Sequence, residues 1–371
     1  MGKSSMLVAG GGRFRELDGL RGLAALAVVA SHYTGSYNAP YPSDPNSFFD
    51  AWWGGYGVQL FFLISGFVIL FSARRIRVPF DFVSSRLSRL YPAYWISLLI
   101  AVVVGASIAM PLVPLSPPVI AANLTMIQRW FLVPNVNDVY WTLAVEMQFY
   151  VLLFLALVLT QCRLTDRQVR IGAVSWSFIG LVISFWVMPV AHGLASASVA
   201  TPVKLVLNMT LAEFAPLFAT GALASLARRD GRVSRLSLMT ATIAVVNAYL
   251  LHSALAAGII AGICALFLVV VAVPRVPALT IAPVQWLGKV SYSLYLTHSL
   301  VGYLVIRLTW PYVGRDVAML LALVVALVVA WVVWRVGEVT LSRMLRNWLD
   351  RMRDVWAARK ARAVASDPVP D

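Results

Sequence analysis

Tyr56-Gly-Val-Gln-Leu-Phe-Phe-Leu-Ile-Ser-Gly-Phe-Val-Ile-Leu-Phe-Ser-Ala73 runs for 18 residues without a charged side chain. As a helix rising about 1.5 Å per residue it is about 27 Å long, close to the hydrocarbon thickness of a bilayer. The rest of the chain is of the same kind: 60% of its 371 residues are hydrophobic and 12% are charged, with a mean hydropathy of +0.80. A soluble domain carries about 25% charged residues, so this composition cannot build a water-facing surface. The sequence predicts an all-α, polytopic integral membrane protein and excludes a disordered chain, a coiled coil and a secreted disulfide scaffold. Cys162 and Cys264 match no metal or redox spacing and are expected to be inert helix cysteines.

Outward from that run, apolar stretches of spanning length number about ten: roughly 18–35, 56–73, 90–113, 140–160, 171–190, 206–227, 236–253, 256–273, 286–308 and 316–337. The division between the seventh and eighth rests on Ser253 to Leu255 alone. Without that break the pair becomes one long helix and the C-terminus changes sides. Residues 1–355 read as a single transmembrane domain and 356–371 as a polar, flexible tail. No internal repeat or low-complexity tract is evident. The longest segments expected outside, about 36–55 and 114–139, are rich in Pro, Asn, Trp and Tyr, which suits interfacial or re-entrant structure.

The net charge of +14 would suggest nucleic acid in a soluble protein, but its distribution is a topology signal. Cytoplasmic loops accumulate Lys and Arg. With the N-terminus cytoplasmic, 26 of the 30 basic residues fall inside, and only Arg129, Lys204, Arg307 and Arg315 fall outside. Ten spans then leave both termini in the cytoplasm. A competing reading takes Met1 to Ala30 as a signal peptide. Cleavage there would leave the remaining topology unchanged and remove Arg21; a mature N-terminus near Ser31 would establish it.

Ionisable groups inside a membrane are costly and are functional candidates by default. Arg21 and His32 are eleven residues apart, about 20° from three whole helical turns and roughly 16 Å in rise, so they share one helix face. The same ruler places Glu146, Glu213 and His298 at roughly 9, 10 and 18 Å from their helix starts, near the depth of His32. Arg21, Arg86, Arg89, Lys289 and Glu338 fall at the cytoplasmic rim. Arginines at that rim suit phosphates, which guanidinium binds bidentately. A histidine at mid-depth suits general-base work on a hydroxyl, with a carboxylate to hold its ring. His192 and His252 read as interfacial, and Gly10 to Gly12 as a flexible leader. Nothing resembles a metal cage, a P-loop or a nucleophile elbow.

These residues fall in a pattern that resembles the membrane acyltransferase-3 family, bacterial multi-span enzymes that O-acylate sugars using acyl-CoA. Leu17-Asp18-Gly-Leu-Arg21-Gly-Leu-Ala to His32 looks like the family's Arg, ten residues, His signature. Gly57-Val-Gln-Leu-Phe-Phe-Leu-Ile-Ser-Gly-Phe67 is similar to its second-helix motif, and Arg86-Leu-Ser-Arg89-Leu-Tyr-Pro92 to its Arg-x-x-Arg element. Trp141-Thr-Leu-Ala-Val-Glu146, followed by Phe149 and Tyr150, looks like the Trp-Ser-Leu-x-x-Glu block. Leu287-Gly-Lys-Val-Ser-Tyr292-Ser-Leu-Tyr-Leu-Thr-His298 resembles the ninth-helix signature, and Glu338 falls where the last helix ends in Glu. Six such blocks lie in order across residues 17–338.

The resemblance implies an acyltransferase of the bacterial cytoplasmic membrane. It implies His32 as catalytic base, with Arg21, Arg86 and Arg89 serving the acyl-CoA donor, acetyl-CoA first among them, or holding the site, and no metal. Glu146 is the first choice to orient His32, with His298 and Glu213 behind it; Asp18, Tyr150, Tyr292 and Glu338 complete the candidate set. The implied acceptor is a surface polysaccharide or lipid-linked glycan, or alternatively a macrolide or other glycosylated metabolite. Some members carry a fused hydrolase-like domain after the last helix, for which the length remaining here leaves no room. A proton-coupled or glycan transporter is the rival of another class, since Glu and His also build proton relays. Transporters commonly show paired repeats and interrupted helices, and neither is read here. A purely structural or receptor role gives no reason for the shared face of Arg21 and His32.

Overall fold

The structure is a computed structural model that describes residues 14–108, 113–193, 197–228 and 233–366. The leader glycines Gly10–Gly12 and the basic residues Lys3, Arg13, Arg229 and Arg232 lie outside the described residues. Thirteen α-helices and no strand occur among the described residues. They are α1 (Arg15–Thr34), α2 (Gly57–Ala73), α3 (Pro79–Ile108), α4 (Pro117–Asn123), α5 (Tyr140–Leu159), α6 (Asp166–Ala191) and α7 (Ala197–Thr210). Then follow α8 (Ala215–Ala227), α9 (Arg235–Leu251), α10 (Ala254–Ala272), α11 (Ala282–Val313), α12 (Arg315–Val333) and α13 (Ser342–Ser366).

Among the described residues, seven helices are long and apolar enough to cross a membrane, and Arg235–Leu251 is a shorter apolar helix. Two predicted spans outside that count, α1 and α11, are the polar ones. Arg15, Glu16, Asp18 and Arg21 sit in the first turns of α1, and the buried face of α11 presents Ser291, Ser293, Thr297, His298 and Ser299. The α11 groups are buried against protein rather than lipid, Glu16, Asp18 and Arg21 are partly buried, and Arg15 at the start of α1 is exposed. By contrast only 28% of the apolar window of α6 is buried inside the bundle, and Phe178, Val182, Phe185 and Trp186 face outward.

The break between the seventh and eighth spans is present but lies at His252 and Ser253, where the Ser253 side chain caps α10 by accepting from Ala256 N–H. The sixth span, read as continuous over 206–227, is interrupted: α7 ends at Thr210, Leu211 takes a positive φ of 53°, and α8 starts at Ala215 followed by Pro216. Proline lacks the N–H that a continuing helix would need. Glu213 therefore lies in a turn and not on a helix face. The last span also extends beyond its predicted end, passing through a π-helical stretch, Trp334–Leu341, into α13.

Close backbone approach sets the positions of the central helices. Gly22 of α1 and Gly288 of α11 lie against each other's helix, so that a Cβ on either would strike the partner's backbone. Gly66 of α2 and Gly221 of α8 form a second such crossing. Small residues that let helices touch are the main packing device where lipid supplies no hydrophobic drive.

Candidate active site

Inner and outer here follow the orientation that the charge distribution predicts. His32 lies near the outer end of α1. Its Nδ1 is 3.8 Å from Oδ2 of Asp138 and within 3.3 Å of the Tyr303 hydroxyl. Asp138 stands two residues before α5, and its Oδ1 accepts a hydrogen bond from the Ser299 hydroxyl at 3.0 Å. The Nε2 of His32 has no hydrogen-bond partner among the described residues, and the side chain is 17% exposed. At 3.8 Å the carboxylate is beyond hydrogen-bond distance, but its charge favours a proton on Nδ1, the tautomer that presents Nε2 as a base.

His298 packs edge-on against His32 with ring centroids 4.8 Å apart. Its Nδ1 donates toward the carbonyl oxygens of Leu294 and Tyr295, at 3.1 and 2.9 Å. Both partners are acceptors, so Nδ1 holds the proton, and the buried Nε2 has no partner. The Tyr33 hydroxyl donates to the His298 carbonyl at 3.0 Å and ties α1 to α11 at this level. Further out, Tyr303 meets Tyr37 edge-on, and the Tyr37 hydroxyl donates to Asp44 at 2.6 Å. Burial pushes the Asp44 carboxyl up, but the hydrogen bonds from Tyr37 and Arg307 outweigh it and hold the group below the usual carboxylate range.

Glu146 does not orient His32. It lies six residues into α5, about 9 Å further along the helix, because α5 starts level with His32 and not above it. There it accepts from Ser65 at 2.9 Å and from Tyr150 at 2.7 Å. Arg21 and Arg89 are both within electrostatic reach of Glu146 and of Glu338. Glu338, held in the π-helical stretch, accepts from Ser293 at 2.6 Å. Arg86 is also within reach of Glu146, so three guanidinium groups share two carboxylates inside the bundle. Arg86 bonds the Ser72 hydroxyl and lies over the rings of Phe82 and Tyr150 at 5.5 and 5.7 Å. The Tyr292 hydroxyl donates to the Leu90 carbonyl at 3.1 Å, a tie from α11 to α3.

Arg21, Ser65, Thr142, Glu146, Ser291 and Tyr295 line a cleft. Tyr295 closes its outer end: the Thr142 hydroxyl donates to the Tyr295 oxygen at 2.8 Å, and the ring lies 5.9 Å from that of His298. The cleft and the histidine pair are therefore neighbours across one phenol. A second pocket of about 320 Å³ lies on the other side of α2, between Tyr56, Gln59, Phe214 and Ile260. Glu213 and His252 pair across it at 2.9 Å, so Glu213 belongs to that pocket and not to His32. Asp18 lies in the first turn of α1, where an acid suits the helix N-terminus, and Lys289 is exposed.

Asp138, Ser299 and Tyr303 escaped the sequence reading. Asp138 sits outside a helix, where a rise-per-residue ruler does not apply. Its position just ahead of the Trp141 to Glu146 block, at the outer mouth of a span, was the available signal. Among the described residues no group of three or more His, Cys, Asp or Glu could hold a metal ion.

Comparison with known proteins follows the same lines. A family model described as an acyltransferase domain, of the acyltransferase-3 type, matches residues 14–335. The acyltransferase MdmB of Streptomyces mycarofaciens is 29% identical over 203 residues, covering 53% of this chain and 51% of that protein. The exopolysaccharide production protein ExoZ of Rhizobium meliloti is 30% identical over 142 residues, covering 35% of this chain and 41% of that protein. The chain thus spans about half the length, or less, of these relatives. No solved structure matches the chain.

Proposed function

The chain belongs to the acyltransferase-3 family, and from that premise we propose that it moves an acyl group, acetyl first among candidates, from cytosolic acyl-CoA to a carbohydrate hydroxyl. The observation that carries this reading is the Asp138–His32 contact, which leaves Nε2 of a half-sheltered imidazole available as a base beside a cleft. Nε2 takes the acceptor's hydroxyl proton as its oxygen attacks the thioester carbonyl carbon. The carbon–sulfur bond then breaks, and the departing CoA thiolate takes the proton back from the imidazolium. Asp138, itself held by Ser299, keeps the ring in the required tautomer and offsets the imidazolium charge. No acyl-enzyme is needed in this sequence.

The acceptor in this proposal is a surface polysaccharide or lipid-linked glycan in the bacterial cytoplasmic membrane. Its support is the position of His32 toward the outer end of α1 and the likeness to a relative named for exopolysaccharide production. The matching topology is ten spans with both termini cytoplasmic. The macrolide or small-metabolite acceptor is the second reading, and the experiment below separates it from the first.

The test is acyl transfer by membranes carrying wild type or His32→Ala at equal insertion. The variant is expected to lose transfer by roughly a thousandfold or more, and near-wild-type transfer would overturn the mechanism. Mass spectrometry of a deletion strain distinguishes the acceptors: an acyl group lost from envelope glycan supports the first, one lost from a secreted metabolite the second. A purified protein that releases no CoA thiol with either acceptor class returns the case to a transporter.

A further inference from the structure

The inner end of the bundle carries a feature that the acid–base machinery does not use. The start of α1, the end of α2 and the end of α8 converge there. Phe14 meets Phe71 edge-on at 4.9 Å and Phe67 at 5.0 Å. The guanidinium of Arg75 lies over Phe71 at 4.4 Å, and that of Arg228 over Phe14 at 5.1 Å. Two cations thus flank one aromatic pair.

Their electrostatic state differs from that of the neighbouring arginines. Arg74 is paired with Asp166, and Arg21 and Arg89 face Glu146 and Glu338. Among the described residues no carboxylate lies within ion-pair distance of Arg75 or Arg228. Arg228 also holds a buried Nη1 with no hydrogen-bond partner, while Arg75 is exposed. A buried donor without an acceptor is a standing cost that an anionic oxygen removes.

We infer that Arg75 and Arg228, with the Phe14–Phe71 pair between them, bind the phosphorylated adenosine end of the acyl-CoA donor; this rests on the donor proposed above. Guanidinium groups bind phosphate bidentately, and bases stack on aromatic and guanidinium faces. The distances agree with the task. Phe14 precedes Arg21 by seven residues and His32 by eighteen, roughly 10 and 27 Å along α1. A nucleotide held at the inner end sends the pantetheine arm past the cleft of Arg21 toward His32. Arg21 and Arg89, within reach of two carboxylates, hold the walls of that passage, and Arg75 and Arg228 take the phosphates. A lipid phosphate of the inner leaflet offers the same chemistry, so the experiment must separate the two.

The experiment titrates the purified full chain in detergent with CoA and with pantetheine, which lacks the nucleotide. Arg75→Ala plus Arg228→Ala is expected to weaken CoA binding at least about tenfold, each tenfold being about 1.4 kcal/mol, toward the affinity for pantetheine, which stays unchanged. Because Arg228 is partly buried, Arg75→Gln alone serves as the variant that leaves the fold intact, with a severalfold loss expected for CoA only. Equal CoA affinity in wild type and the variants overturns the inference while leaving the donor reading standing. Equal losses for CoA and pantetheine also overturn it, as damage to the fold. Loss of binding to phosphatidylglycerol vesicles with CoA affinity unchanged assigns the arginines to lipid and overturns it too. A wild type that binds no CoA overturns the donor reading and this inference together.

Discussion

The two ends of α1 hold ionisable groups in opposite ways. At the inner end Arg21, Arg86 and Arg89 lie within electrostatic reach of Glu146, and Arg21 and Arg89 of Glu338 as well, so several charges share one set. At the outer end His32 has one carboxylate, at 3.8 Å, and a free ring nitrogen. In a low-dielectric interior such a coupled set is a rigid strut, because removing a carboxylate strands the charges it offsets. An imidazole beside a single carboxylate can gain and lose a proton without that penalty. In the mechanism proposed above, the contrast separates the part of the site that holds shape from the part that reacts.

Four experiments break or sharpen that contrast. The largest expected effect is at the inner end. Arg89→Ala should cost about 3 kcal/mol or more of stability by leaving Glu146 and Glu338 undercompensated. A fall in melting temperature in detergent reads it, and Arg89→Ala with Glu338→Ala should lose less than the sum of the singles. If the effects simply add, the coupled set is not a unit. Next, Asp138→Asn should keep the fold but reduce kcat roughly a hundredfold, about 2.7 kcal/mol, with KM for donor little changed, because Asn favours the wrong imidazole tautomer. An unchanged kcat would make Asp138 a bystander.

A smaller effect attends Tyr303→Phe, which removes the hydroxyl 3.3 Å from Nδ1. We expect a loss of about 1 kcal/mol, read as a severalfold fall in kcat and a shift in the pH–rate profile. A change confined to melting temperature would make Tyr303 purely structural. The smallest concerns Asp44. Its folded carboxyl lies below the ordinary value, so it stabilises the fold above about pH 4 and that contribution is lost as pH falls through the folded value. With Arg307 44% exposed, screening limits the effect to about 1 kcal/mol. Asp44→Asn should therefore flatten the acid limb of the stability curve; an identical limb would remove Asp44 from the account.

The candidate site was legible in part. The eleven-residue spacing put Arg21 and His32 on one face, and His298 was correctly expected at the depth of His32. Glu146 and Glu213 were assigned to the wrong group, for separate reasons. Glu146 lies nearer Arg21 because α5 begins at the level of His32, an offset that no property of residues 140–160 records. Glu213 lies in a turn that interrupts the sixth span, so counting from a continuous helix misplaced it. Hydropathy also underrates α1 and α11, since the helices that carry the chemistry are polar and are covered by protein.

By itself the sequence determined a helical membrane protein, its family, and the histidine and arginines worth testing, because apolar runs, basic loops and residue spacing are local and survive in one dimension. Tertiary structure alone decided which carboxylate meets His32, which arginines are neutralised and which stay unmatched. Depth and partner depend on where neighbouring helices start and how they rotate, and those are set by packing contacts between residues far apart in the chain, such as Gly22 with Gly288.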